Sequence, residues 1–502
     1  MAFILSALFY LALAILLLYA YLEYSSYQKT AYYTRQGLRY TWRPLILSLF
    51  SKDSKNPYEI AKELTETAKG DDMAITTIYG IQICPLTPKA LKEFYEKETE
   101  HTSRASKVFL NTSGLQQDGE PPLRARGIFK KIYKRQNLGL FKPVVLECLR
   151  KQIKIIKQRV KAAGGSFEFS LHEDFTVPFF DEMATRLGFG DSEEHLSIPE
   201  LGNKSFHGAC ALHSKLGQSC FQLINLMTNG LYVKLGLSKK FNQHLVIKRK
   251  IREYVDKVFD ERTEGIEKGE YTPKRSNIVD FLILENAELL KAGKQPYTKE
   301  EICLHILDFY AAGIDNMIAV FEAIVARLVF KENKKHFEEL KRVVRTDFSG
   351  EEYSIDSVMD HAYLHAVFAE CSRLFPGLNR SFNKTVVKPF DLCGVRIRKG
   401  DDVVVRYLSL SHNKGHFPSP DKFDPSRFVD GKKPPRFTYM QFGHGPRGCV
   451  GRNFGDFMVK TFLVELLKEF DFCYPDGFEP NWVHHDLFSG MDEGKMIIEM
   501  RK

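Results

Sequence analysis

From Ala2 to Leu22 the chain carries no charged residue, and the run is built mainly from Leu, Ala, Ile, Phe and Tyr. As a helix it would span about 31 Å, which matches a bilayer core. A cleaved signal peptide needs a basic start, a shorter apolar core and small residues at the cleavage point. Here nothing basic precedes the run, and Leu16, Leu17 and Leu18 lead into Tyr19 and Tyr21, with Tyr24 just beyond. Tyrosines of this kind suit a membrane–water interface. Lys29, Arg35, Arg39 and Arg43 follow, against the single acid Glu23, so the positive-inside rule places the downstream body in the cytosol. The pattern predicts a transmembrane anchor over 1–22, a juxtamembrane linker over 23–57 and one soluble domain over 58–502. A short apolar run, Leu45 to Phe50, is long enough only to lie against the membrane surface.

Beyond the anchor, helical spacing dominates. Leu146, Leu149, Ile153, Ile156 and Val160 recur every three or four residues, with Lys151, Lys154 and Lys157 on other faces. The longest helix is predicted to open on Thr298-Lys299-Glu300-Glu301, a capping-box pattern, and to run to about Lys331, roughly 50 Å. Strand-like runs are short: Lys384 to Val387 and Val395 to Ile397, with turns near Gly394 and Gly400. The expectation is a mainly α domain with a small β-rich portion, without repeats or an interdomain linker.

Composition narrows the classes of function. With 44% hydrophobic residues and 27% charged, the chain is neither disordered nor collagen-like. Its nine cysteines are dispersed and form no C-x-x-C pair, which argues against a zinc ribbon or a redox dithiol and for a reducing compartment. The net charge of +9 comes without a dense basic block, so an acidic protein or a membrane is the expected partner rather than nucleic acid. In a cytosolic body the sequons at Asn111, Asn203, Asn379 and Asn383 are chance matches. The pair His484-His485 before Asp486 is assigned no metal, because adjacent residues of a regular helix cannot both face one ion.

One segment carries chemistry, the stretch 441–451, which reads Gln-Phe-Gly-His-Gly-Pro-Arg-Gly-Cys-Val-Gly. Gly443, Gly445, Gly448 and Gly451 let the backbone turn tightly and approach a flat ligand. Such a loop can aim several N–H groups at the Cys449 sulfur and favour the thiolate, and a helix predicted over 453–470 adds its N-terminal dipole. Arg447 can reach an anionic group, and Phe442 can pack beneath the ligand plane.

With Phe442, Gly445, Arg447, Cys449 and Gly451 filling F-x-x-G-x-R-x-C-x-G, the loop resembles that of the haem-thiolate proteins, the cytochromes P-450. The resemblance implies the eukaryotic membrane-anchored type of that fold, with Cys449 as axial iron ligand. Thiolate donation promotes O–O cleavage, which is why a cysteine serves there. It also implies a structural network of Glu370, Arg373 and Arg427, from Glu370-x-x-Arg373 and Pro425-Ser-Arg-Phe428, the latter with Ser426 where the family has an acid. Arg126 and Arg380 are the implied propionate partners beside Arg447. The family's W-x-x-x-R appears as Pro122-Leu-Arg-Ala-Arg126, so one donor is missing and Arg124 competes with Arg126 for the role.

Ala312-Gly313-Ile314-Asp315-Asn316 is similar to the family's oxygen-side A/G-G-x-D/E-T. Ala312 and Gly313 would leave room above iron, and Asp315 would pass protons inward. Asn316 stands where the family has threonine, and an amide is a poor proton carrier. Phe309, Ala312, Leu374, Phe375, Leu378, Leu487 and Phe488 are candidate pocket residues that read equally well as core.

The resemblance thus implies a monooxygenase of the endoplasmic reticulum membrane, acting with haem and O2 on a lipophilic small molecule. Electrons are expected from NADPH through a separate flavin-containing cytochrome P-450 reductase, with cytochrome b5 as a second donor. Lys130, Lys131, Lys134, Arg135, Lys432 and Arg436 are candidates for a basic docking face. The competing readings are a reductase-independent isomerase or dehydratase of peroxides and a non-catalytic haem or lipid binder.

Overall fold

In the computed structural model the described residues are 2–41, 57–76, 81–103, 120–191, 197–219, 236, 238–429, 432–478, 482–484, 489–491 and 495–501. The apolar N-terminal run becomes α1, a single helix over Ala2–Thr34 that continues well past the uncharged stretch. Among the described residues, no helix is long and apolar enough to cross a membrane. The segment 45–50 lies outside the described residues.

The stretch expected as a linker joins the body early. Tyr33 is fully buried, and its hydroxyl donates to Asp401 Oδ2 at 2.6 Å. The Arg398 guanidinium lies 4.0 Å over the Tyr32 ring. Strand β1, Arg39–Thr41, then pairs in parallel with β2, Met73–Thr76.

Helices α2, Pro57–Ala68, and α3, Pro88–His101, flank β3, Gln82–Pro85. Thr87 caps α3 by accepting from the Ala90 N–H, and the helix runs directly into β4, Thr102–Ser103. The main sheet has the order β1-β2-β3-β9-β6-β4, where β6 is Lys384–Val386 and β9 is Asp402–Val403. Between these two, β7, Phe390–Leu392, and β8, Val395–Ile397, form a hairpin. The expected strand at 384–387 is thus one residue shorter, and that at 395–397 stands where the pattern placed it.

The helical layer holds the larger core. Helix α4, Glu120–Ile132, tolerates Pro121 and Pro122 because they sit in its first turn, where N–H groups have no partner anyway. In α5, Leu138–Ala162, the five residues of the predicted apolar stripe are all buried. The long helix is interrupted. Helix α6, Lys299–Asp308, has the full capping box at Thr298 and Glu301, a π-turn follows over Phe309–Ile314, and α7 runs over Asp315–Val329. It stops two residues before the expected end because Phe330 leaves helical geometry, with ψ at 138°.

Helix α8, Ala362–Leu374, carries Glu370 and Arg373, and α9, Arg452–Glu469, follows the cysteine loop within a residue of its expected bounds. The loop straddles two cores. Phe437 and Met440 belong to the sheet-side cluster, whereas Phe442 and Val450 pack on the helical one.

Candidate functional site

The loop is built by its own backbone. The Cys449 N–H donates to Phe442 O at 2.8 Å, Gly448 N–H to Gly445 O at 3.0 Å, and Gly443 N–H to Met440 O at 2.9 Å. Gly443 and Gly445 have φ of +65° and +72°, which side chains rarely adopt. These bonds overturn one expectation: the N–H groups close turns instead of converging on sulfur. Among the described residues, Gly451 N–H is the backbone donor to Cys449 Sγ.

Cys449 opens on one side into a cavity of about 290 Å³ lined by Arg126, Lys130, Phe442, His444 and Arg452 among others. On its other side protein packs it. Burial therefore pushes the thiol above its ordinary pKa, while the Gly451 N–H and the charges of Arg126 and Arg452 pull it down.

Two arginines stand close by. Arg126 Nη2 donates to Gly448 O at 2.6 Å, and it has no ion-pair partner among the described residues. Arg124, two residues earlier, is turned away: its Nε pairs with Glu301 at 2.8 Å and its guanidinium lies 4.7 Å over the Tyr297 ring. Of the two, Arg126 lines the cavity beside Cys449. Arg447 reaches Thr102, donating to its carbonyl at 3.0 Å and to its hydroxyl at 3.3 Å. Arg380 is held locally by Ser381 O at 2.9 Å and Asn383 Oδ1 at 3.0 Å, and it does not line the cavity.

Glu370, Arg373 and Arg427 come together in one charge network. Glu370 and Arg373 are fully buried and form a bidentate pair at 2.7 and 2.8 Å. Arg373 also donates to Ser411 O at 2.8 Å. Arg427 Nε approaches Glu370 Oε1 at 3.3 Å, and the same oxygen accepts from the Asp424 N–H at 2.9 Å.

On the long helix, the π-turn covers Ala312 and Gly313, and Ala312 is exposed. Single π-turns concentrate at functional sites. The Asn316 Nδ2 donates to Ala312 O at 2.7 Å, tying the first turn of α7 to the π-turn, whereas its Oδ1 is buried and has no partner among the described residues. Asp315 opens α7, and nothing is described of its side chain. Of the candidate pocket residues, Phe309 and Leu374 are core, Phe375 and Leu378 are half-buried, and Leu487 and Phe488 lie outside the described residues.

Tyr133 escaped the sequence reading. Its ring would lie 3.9 Å from a Cβ added at Gly451 and stacks on Phe129. Tyr133 lies just past the end of α4, so its approach to the loop left no helical pattern in the sequence.

The donor set fits a haem with an anionic edge. A thiol opens to a cavity, glycines let the backbone lie close, and a half-buried arginine has no carboxylate partner among the described residues. A family model described as cytochrome P-450 matches residues 40–495. Similar proteins include a probable cytochrome P-450 of Drosophila melanogaster, 29% identical over 205 residues that cover 39% of this chain and 40% of the relative. A cytochrome P-450 of Mus musculus is 28% identical over 44% of this chain and 43% of the relative. A beta-amyrin 28-monooxygenase of Saponaria officinalis is 26% identical over 59% and 62%. The matched stretches thus span between 40% and 62% of these relatives. Among solved structures, a cytochrome P-450 haem domain superposes with a TM-score of 0.67 at 16% identity, over 88% of this chain and 92% of that one. Another cytochrome P-450 reaches 0.72 at 16% identity, over 92% and 99%.

Proposed function

The chain belongs to the cytochrome P-450 family, and we propose from that membership that it is a membrane-anchored, haem-dependent monooxygenase of lipophilic small molecules. The observation that carries the reading is the complete cysteine loop, with its sulfur open to a cavity beside Arg126. The haem, when bound, supplies dioxygen binding and reductive activation. Cys449 would hold the iron and supply thiolate charge to it; the protein's task is to deprotonate and hold that sulfur, and Arg126 and Arg452 favour the charge. Arg126 and Arg447 are assigned to the carboxylate edge, where guanidinium groups bind carboxylates well. Glu370, Arg373 and Arg427 hold the wall behind the loop.

Protons must arrive at the oxygen side. Asp315 is the proposed acid, and Asn316 a positioning residue. One amide N–H goes to Ala312 O, and Oδ1, which has no partner among the described residues, can accept a hydrogen bond and hold a water, while the amide is a poor proton carrier. Asp315→Asn is expected to lower product formation by about 10-fold or more, short of the roughly 10²–10⁴ worth of a general acid because water can stand in. Asn316→Thr should keep reductase-dependent activity and tighten the ratio of product to NADPH consumed. Unchanged turnover in Asp315→Asn removes that residue from the proton path.

The deciding assay is product formation over a lipophilic substrate panel. NADPH with a cytochrome P-450 reductase, with or without cytochrome b5, should support turnover. Full conversion of an organic peroxide without reductase or NADPH would instead favour the isomerase or dehydratase reading, which the amide at Asn316 supports.

The anchor is part of the proposal. In α1, Phe9, Leu16 and Leu17 stand more than 60% exposed, an arrangement costly in water and favourable in lipid. With Lys29, Arg35 and Arg39 on the trailing side, the body is assigned to the cytosolic face of the endoplasmic reticulum. Protease added to intact microsomes is expected to digest the body. Full protection together with glycans at Asn111 or Asn203 reverses the topology.

A further inference from the structure

A carboxylate that no family motif names is buried next to the site. Glu98, in the last turn of α3, is fully buried. Its Oε1 lies 2.6 Å from Lys384 Nζ, and Lys384, in β6, is only 4% exposed. The second oxygen, Oε2, has no hydrogen-bond partner among the described residues. A buried ion pair is costly to form, so its position needs a reason beyond stability.

That position is informative. One helical turn links Glu98 to Arg447: Glu98 O accepts from Thr102 Oγ1 at 2.7 Å, and Thr102 in turn accepts both Arg447 hydrogen bonds. β4 then pairs with β6, with Thr102 opposite Val386 and Ser103 opposite Thr385, so the strand that carries Lys384 is locked to the strand that carries Thr102. Arg126 is close enough to feel Glu98 and Cys449 as favourable charges and Arg447 as an unfavourable one. Arg126, Arg447 and Lys384 thus lie around this carboxylate. A haem brings two carboxylates at its edge.

We propose that Glu98 and Lys384 form a charge balance for that edge, with Thr102 as the residue that positions Arg447. The proposal rests on the haem reading above. It makes the two members of the pair act with opposite signs, which a merely structural ion pair would not do. Removing Glu98's charge leaves the edge more positive, favouring both the anionic ligand and the electron-rich reduced state. Removing Lys384's charge does the reverse.

The test uses the full-length holoprotein in detergent, with two readouts independent of turnover: the haem reduction potential and the rate of haem transfer to apomyoglobin. Glu98→Gln should move the potential positive and slow haem loss. Lys384→Met should move it negative and speed haem loss. Each rate should change on the order of tenfold, as for one unit charge at roughly 10 Å in a medium of effective dielectric about 20. The double variant, which keeps the net charge of the cluster, should return the potential to the wild-type value. Thr102→Val should speed haem loss.

Singles that shift the potential in the same direction, or not at all, overturn the proposal. Should one single variant fail to accumulate, the other decides: a shift of the stated sign supports the charge balance, and no shift or the reverse overturns it. A wild-type protein that takes up no haem overturns the parent reading instead, which is a separate outcome.

Discussion

Cys449→Ala is expected to abolish the red-shifted Soret band of the reduced, carbon monoxide-treated protein and to remove turnover. The band reports a thiolate ligand, and among the described residues Cys449 is the cysteine that lines the cavity. Cys84, Cys148, Cys210, Cys303 and Cys371 are buried away from the loop, and burial drives the Cys148 and Cys303 thiols up to about 12, so neither offers a thiolate near neutral pH. Disturbing an outer partner of a metal ligand already costs about 10- to 100-fold, so loss of the ligand itself should exceed that. Cys449→His should keep some haem, bound through imidazole, but without the electron donation that promotes O–O cleavage. Survival of the thiolate-type band in either variant would show that another residue ligates the iron.

Glu370→Ala and Arg373→Ala should each destabilise the protein by about 3–5 kcal/mol, the cost of leaving one member of a buried pair uncompensated. That is a large part of the roughly 5–15 kcal/mol by which domains are stable, so the variants should accumulate poorly and without haem. Both side chains are fully buried, and Arg373 also holds Ser411 O, so its loss strips Glu370 of its bidentate partner, leaving it the longer Arg427 contact and the Asp424 N–H, and takes a donor from a buried carbonyl as well. Arg427→Ala should cost less, because Arg427 is 13% exposed and its loss leaves Glu370 still paired with Arg373. A Glu370→Leu/Arg373→Met double variant should recover part of the loss seen in either single. Denaturant unfolding is the measurement; an Arg373→Ala protein within about 1 kcal/mol of wild type would remove the network from the account of stability.

The two predictions draw on differently encoded information. The cysteine loop is local: its glycines, Arg447 and Cys449 lie within eleven residues, and their spacing alone specifies the turn and the ligand type. Local too are the stripe of α5, the capping box at Thr298 and the pair Glu370-x-x-Arg373, because a helix brings residues three and four apart together whatever surrounds it.

Sequence spacing was silent wherever the partner lay elsewhere in the chain. Arg124 and Arg126 are two residues apart on one helix, hence on different faces, and only packing decided that the first meets Glu301 and the second Gly448. Nothing around Tyr33 marks it as a buried clamp to Asp401, 368 residues away. The π-turn at Phe309–Ile314 leaves no periodic trace, since one widened turn barely shifts an apolar stripe. Glu98 and Thr102 read as ordinary polar residues at a helix end until the fold sets Lys384 and Arg447 beside them. By itself the sequence determined the chemistry of the sulfur and the elements that carry it. Which cations, carboxylates and amides face that chemistry was decided only by the tertiary structure, because burial and long-range charge contacts arise from packing and leave no pattern within a short window of chain.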